Sequence, residues 1–168
     1  EQDTEFLQKG LNKCITDRIP TEQDKNIISL FSKQRVKELI KYFILYDANV
    51  KKICRYQQYF ALKEIIKTVT TYTDNGNRCG GVIWHTQGSG KSLTMDMVSK
   101  YILMELSAYN PRVIIVTDRK ELDSQITATF SHTRLNPARA TSGRHLVQLI
   151  NEEKADVITT IINKFNTA

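Results

Sequence analysis

Gly80-Gly81-Val82-Ile83-Trp84-His85-Thr86-Gln87-Gly88-Ser89-Gly90-Lys91-Ser92 is the stretch on which the fold turns. Val82 to Trp84 is a short apolar run and predicts a buried strand. Gly88, Ser89 and Gly90 form a small-residue turn, and Lys91-Ser92 opens an apolar-rich stretch that predicts a helix. Strand, glycine-rich turn, Lys-Ser and helix in that order describe a phosphate-binding loop. Glycines allow positive φ and bring backbone N–H groups close to a phosphate with no Cβ in the way. The helix adds unpaired N–H groups and a partial positive charge at its N-terminus. Gln87, Gly88, Ser89, Gly90, Lys91, Ser92 and Leu93 are therefore the candidate cradle. Lys91 is expected to reach the β- and γ-phosphates of a nucleotide, and the Ser92 hydroxyl to ligate Mg²⁺. The strict eight-residue pattern asks for glycine where this chain has His85.

Upstream, Tyr72 to Cys79 contains Asp74-Asn75-Gly76-Asn77 and reads as a turn-rich loop. Before it, Arg55-Tyr56-Gln57-Gln58 opens a helix with Tyr59, Leu62, Ile65, Ile66 and Val69 on its apolar face. A Gln amide carries both a donor and an acceptor, which matches the N6 amine and N7 of adenine. Gln57 and Gln58 both offer such an amide at the start of this helix, beside Arg55. A further helix is predicted over Ser32–Tyr46, with Val36, Leu39, Ile40, Phe43 and Ile44 at helical spacing. Residues 1–30 are polar; Glu5 to Ile19 fits a short helix stopped by Pro20, and Thr21 to Lys25 reads as a connector. Thirty such residues are too few for a domain, so the native protein is expected to continue upstream.

Downstream, Ser92 to Ala108 is apolar around most of its circumference and predicts a buried helix. Arg112 to Thr117 is a continuous β-branched run, as in a parallel strand covered on both faces. Asp118 to Gln125 is a polar loop entering a helix that runs through Phe130. Ser131 to Gly143 reads as a loop with a short strand near Arg139-Ala140, and Arg144 to Glu152 as a helix. Asp156 to Thr160 is a third strand, and Ile161 to Phe165 begins a final helical turn. Strands alternating with helices predict an α/β fold with a parallel sheet. Thr117 and Arg119 fall at the carboxyl end of their strand, where open α/β sheets bind ligands.

The 168 residues, 40% of them apolar, suffice for about one domain with a real core. The net charge of +6 suits a nucleic-acid partner as well as an ordinary basic protein. Cys14, Cys54 and Cys79 are odd in number and widely spaced, so neither a disulfide framework nor a zinc site is indicated and a cytoplasmic setting is expected. No apolar run approaches a membrane span, and no membrane role is expected. His85, His132 and His145 lack metal spacing, and no nucleophile elbow is present. Glu152-Glu153-Lys154 matches the end of a nuclease core only superficially and reads as a solvated charge cluster. No apolar run ends in Asp-Glu, the pair that would hold Mg²⁺ and orient the attacking water.

These segments in this order resemble the motor (R) subunit of type I restriction enzymes. The likeness is carried by Ile40–Tyr46, Lys52–Ala61, Gly80–Thr94, Val116–Gln125 and Ile158–Ile161, over about residues 30–168. Its specific parts are Trp84-His85-Thr86-Gln87 and Asp118-Arg119-Lys120-Glu121-Leu122. The loop resembles the looser form found in the second helicase superfamily, and Arg55-x-x-Gln58 resembles the adenine-reading Q-motif of those motors, which implies Gln58 as the adenine reader, Arg55 as its companion and Gln57 as the fallback. The resemblance implies a P-loop NTPase, RecA-like first motor lobe of an ATP-driven double-stranded DNA translocase. It implies methyltransferase and specificity subunits as partners, ATP and Mg²⁺ as cofactors, and DNA-backbone roles for Thr117, Arg119 and Thr160. On this reading residues 1–50 are a helical linker from an upstream nuclease domain. Residues 51–168 are the first part of the lobe, ending before the acidic box, so ATP hydrolysis by this piece alone is expected to be negligible. A superfamily 2 or remodeller-like motor without a nuclease, and a nucleotide-free DNA-binding or assembly scaffold, are the alternatives.

Overall fold

The computed structural model describes residues 2–151 and 156–167, so the Glu152-Glu153-Lys154 run lies outside the described residues. Contacts divide the chain into two units, Glu1–Lys41 and Tyr42–Ala168. The first holds α1 (Gln2–Cys14), α2 (Glu22–Leu30) and most of α3 (Lys33–Tyr42). The expected connector over Thr21–Lys25 is instead the start of α2. Thr21 and Asp24 form a capping box: the Thr21 N–H donates to Asp24 Oδ2 at 2.8 Å, and the Asp24 N–H to Thr21 Oγ1 at 3.4 Å. The Arg18 guanidinium forks onto the same carboxylate at 2.6 and 2.8 Å and holds it well below the usual carboxylate range. α1 and α2 pack closely at Gly10, where a Cβ would sit 2.6 Å from Ile28 Cγ2.

The second unit opens with a hairpin where the sequence predicts helix and linker. β1 (Ile44–Asp47) pairs antiparallel with β2 (Val50–Ile53) in the register Ile44↔Ile53 to Asp47↔Val50. Ala48 and Asn49 both take positive φ, 48° and 66°, as a two-residue turn matched to strand twist requires. Phe43 and Leu45 are buried two residues apart, a strand period, whereas the helical reading takes Phe43 with Ile44. The linker expected over residues 1–50 is therefore corrected: residues 44–50 are strand and turn, and the hairpin belongs to the second unit.

The remainder is α/β, as the alternating pattern predicts. α4 (Tyr56–Thr70) and α5 (Lys91–Glu105) precede β3 (Val113–Thr117), α6 (Lys120–His132), β4 (Ala138–Arg139), α7 (Gly143–Asn151) and β5 (Val157–Ile161). The three strands form one parallel sheet in the order β3-β5-β4. All five β5 residues are buried. Val157 joins Ile126 and Phe130 of α6 in one core cluster, and Ile158 joins Leu146 and Leu149 of α7 in another. Adjacent strand residues point to opposite faces, so α6 and α7 cover the two sides of the sheet. Val113 and Ile115 pack on the α6 side, whereas Ile114 and Val116 on the other face are exposed. β3 is thus covered on one face only.

The strand expected at Val82–Trp84 is not formed. Val82 and Trp84 are 93% and 90% exposed. A strand persists only where its N–H and C=O groups find a neighbour, and among the described residues none pairs with this segment. α5 is correspondingly half-covered rather than buried all round. Thr94, Asp96, Met97 and Ser99 face the interior, but Met95 and Met104 are exposed.

Candidate nucleotide site

The loop between Trp84 and α5 has the backbone of a phosphate cradle. Gly88 and Gly90 take φ of 75° and 86°, in the left-handed region. The Ser89 N–H donates to the Thr86 carbonyl at 3.3 Å and closes a turn around Gln87 and Gly88. Gly90 is the N-cap of α5, and no side chain caps the N–H groups of the first turn. They are oriented for an anion. Lys91 Nζ donates to the Thr86 carbonyl at 2.8 Å, which carries its ammonium back over the loop. Ser92 follows, half-buried, and the Ser89 hydroxyl is buried without a hydrogen-bond partner.

Gln58 braces this loop from α4. It is 4% exposed, and its Nε2 donates to the Gly90 carbonyl at 3.1 Å and to Thr94 Oγ1 at 3.2 Å. Its Oε1 accepts the Arg55 N–H at 2.8 Å, so the same amide also caps the start of α4. The Thr94 N–H and hydroxyl both reach the Gly90 carbonyl, at 3.0 and 3.2 Å. Both ends of the Gln58 amide are therefore engaged within the protein. Arg55 and Gln57, with Trp84, His85, Thr86 and Ser89, line a depression of about 350 Å³ beside the loop. The structure places Gln57, the alternative reader, at that opening and Gln58 behind it. Thr94 is a member of this set that sequence reasoning missed, since a lone Thr on a helix carries no signal until Gln58 is brought to it.

The three residues expected at DNA are placed unequally. Arg119 has a 77% exposed side chain with its Nε 3.3 Å from Asp118 Oδ2. Thr117 is 7% exposed, and its hydroxyl lies 3.3 Å from the carbonyls of Arg119 and Thr160. Thr160 is fully buried. The Thr117 hydroxyl thereby reaches from β3 to β5, the Thr160 hydroxyl lies 3.5 Å from the carbonyl of Ile161 in its own strand, and Arg119 alone of the three stands at the surface. One turn into α6, Asp123 is 1% exposed and accepts from Arg139 Nε at 2.6 Å, while the Arg139 guanidinium also donates to Ser124 Oγ at 2.9 Å. This pair ties α6 to β4 and was not legible in sequence, because its members are sixteen residues apart.

Burial raises the titration of two groups above their ordinary values. Burial pushes Asp96 of α5 up to about 6, against a hydrogen bond donated by the Thr133 hydroxyl that favours its charged form. Burial likewise pushes the Cys54 thiol up to about 11, which leaves it protonated and unreactive. Among the described residues, no three His, Cys, Asp or Glu side chains gather as a metal site, and no helix is long and apolar enough to cross a membrane.

A glycine-turned loop at the head of α5, together with a parallel sheet flanked by helices, is consistent with the RecA-like α/β architecture of an NTPase motor lobe. Residues 57–168 match the model of the SWI2/SNF2 ATPase family, and the chain belongs to that family. It is 34% identical over 147 residues to the type I restriction enzyme HindI endonuclease subunit of Haemophilus influenzae, covering 81% of this chain and 14% of that protein. It is 30% identical over 137 residues to the type I restriction enzyme SauCOLORF180P endonuclease subunit of Staphylococcus aureus, covering 80% and 14%. The chain thus spans about a seventh of the length of these relatives.

Proposed function

We propose that the chain is the ATP-binding part of the motor of a type I restriction R subunit, which in the intact enzyme couples ATP hydrolysis to pulling double-stranded DNA before cleavage. The observation that carries the reading is the loop itself: left-handed Gly88 and Gly90, an uncapped α5 N-terminus and Lys91 folded over the mouth. The residues fit ATP·Mg²⁺. The N–H groups from Gln87 to Leu93 would hold the β- and γ-phosphates, and Lys91 would exchange the Thr86 carbonyl for a phosphate oxygen. Ser92 would ligate Mg²⁺, the ion that neutralises charge developing on the transferred phosphoryl group. Arg55 and Gln57 line the depression where a base would lie, with Gln58 fixing the loop from behind. Arg119 is the exposed candidate for DNA phosphates. Methyltransferase and specificity subunits, and a cytoplasmic setting, belong to the same reading.

The family match by itself equally suits a remodeller-like motor without a nuclease. The endonuclease-subunit relatives favour the restriction reading. The test is Lys91→Ala in the intact protein. It is expected to abolish DNA-stimulated ATP turnover, and unchanged turnover overturns the reading. The 168-residue chain is expected to bind ATP saturably with negligible hydrolysis, as it carries no Asp-Glu strand end. Absence of saturable binding would favour a nucleotide-free scaffold instead.

A further inference from the structure

Two helices run from the two ends of the proposed chemistry. α5 opens on Lys91-Ser92, and α6 opens directly after Arg119. We propose that Thr133, at the far end of α6, is a positioning residue that couples the phosphate-loop helix to the Asp118–Arg119 end of α6 through its hydrogen bond to Asp96. The proposal rests on the motor reading above.

Asp96 lies in the second turn of α5 and is fully buried. Its Oδ1 accepts from the Thr133 hydroxyl, and its Oδ2 is buried without a partner. Leu103 of α5 also packs against the apolar cluster that holds Ile126 and Phe130 of α6. A carboxylate with one unmatched oxygen is a costly way to join two helices, and an aliphatic side chain would be more stable there. The polar link therefore needs a reason other than stability.

Its geometry supplies one. The Thr133 hydroxyl has a single proton and further acceptors in reach, the Phe130 carbonyl at 2.9 Å and the Thr129 carbonyl at 3.3 Å. It can bind across to α5 or turn back onto its own helix, which is a two-position link. Beyond Asp96 the charges acting there are Lys100 on α5 and Asp47 on β1; Asp47 is itself held by Lys52 of β2 and His132 of α6. α6 has 13 residues and so is a rod about 20 Å long, capable of carrying a shift at Thr133 to Arg119 as a rigid body.

The experiment uses the intact protein and compares ATP turnover with and without duplex DNA in Thr133→Val, Thr133→Ala, Thr133→Ser and Leu103→Ala. With Val or Ala, basal turnover and ATP affinity are expected to stay within about twofold while DNA stimulation falls at least about fivefold. Ser, which restores the hydroxyl, is expected to restore stimulation. Leu103→Ala, which loosens the same interface without touching the hydrogen bond, is expected to lower the thermal midpoint and keep the stimulation ratio. Full stimulation in both Val and Ala variants overturns the coupling, as does a Ser variant as impaired as they are. An equal loss in Leu103→Ala reduces Thr133 to a structural role and also overturns it. A wild-type protein whose turnover ignores DNA overturns the motor reading and the coupling together.

Discussion

Gln58 Nε2 lies 3.1 Å from the carbonyl oxygen of Gly90, so the start of one helix and the start of another are joined by a single amide. This contact leaves no room for a side chain at residue 90. A Cβ there would meet Gln58 Nε2 at 2.7 Å, and its φ of 86° is one that L side chains rarely adopt.

Gly90→Ala is accordingly expected to strain the backbone by about 1–2 kcal/mol and push Gln58 off the loop. ATP affinity measured by titration of a fluorescent analogue should fall by at least about tenfold, or ~1.4 kcal/mol. Wild-type affinity in this variant would show that the amide contact does not shape the cradle.

Trp84 is the one tryptophan in the chain and is 90% exposed. Its emission in the 168-residue chain is expected to be that of a solvated indole, with iodide quenching close to that of a free tryptophan analogue. A blue-shifted, quencher-resistant emission would mean that Val82–Trp84 pairs as a buried strand after all.

Asp96 gives stability a defined pH dependence. Burial raises its folded value to about 6 from an ordinary 3.8, so the folded state holds this proton over a range where the unfolded state has lost it. The contribution is full below the ordinary value and is lost as pH rises through about 6. Denaturant unfolding should show stability falling by on the order of 3 kcal/mol across that window from this group alone. Asp96→Asn should remove the slope; an unchanged profile in that variant would assign it elsewhere.

Arg139→Ala leaves the Asp123 carboxylate buried and unpaired. Its side chain is 1% exposed, whereas that of Arg139 is 44% exposed, so the loss should fall near the low end for broken buried pairs, about 2–3 kcal/mol. Asp123→Asn combined with Arg139→Met should be less destabilised than Arg139→Ala alone, as read from thermal unfolding. A double variant worse than the single would mean that the charge pair itself, rather than the orphaned carboxylate, holds α6 to β4.

The elements that were legible are those with local causes. The β-branched run Val113–Thr117, the small-residue turn before Lys91-Ser92 and the short strand near Arg139 carry their conformation in their own side chains. The hairpin at Ile44–Ile53 was hidden because Phe43 and Ile44 continue the helical period set by Val36, Leu39 and Ile40. Left-handed Ala48 and Asn49 lack the glycine that would have marked the turn. The capping box at Thr21–Asp24 was present as a pattern, yet a polar run after Pro20 reads equally as a connector.

By itself, then, the amino-acid sequence determined the kind of site: residue types suited to phosphate at the head of a helix, within alternating strands and helices. That information is local, since backbone conformation at Gly88 and Gly90 and the N-terminus of α5 depend on neighbours in the chain. Tertiary structure alone decided what surrounds the site. It turned the Gln58 amide onto Gly90, left Gln57 at the opening, buried Thr117 and Thr160 between strands, and set Asp96 against Thr133. It also left Val82–Trp84 without a partner, because a strand is made by the neighbour that accepts its hydrogen bonds and not by its own apolar residues.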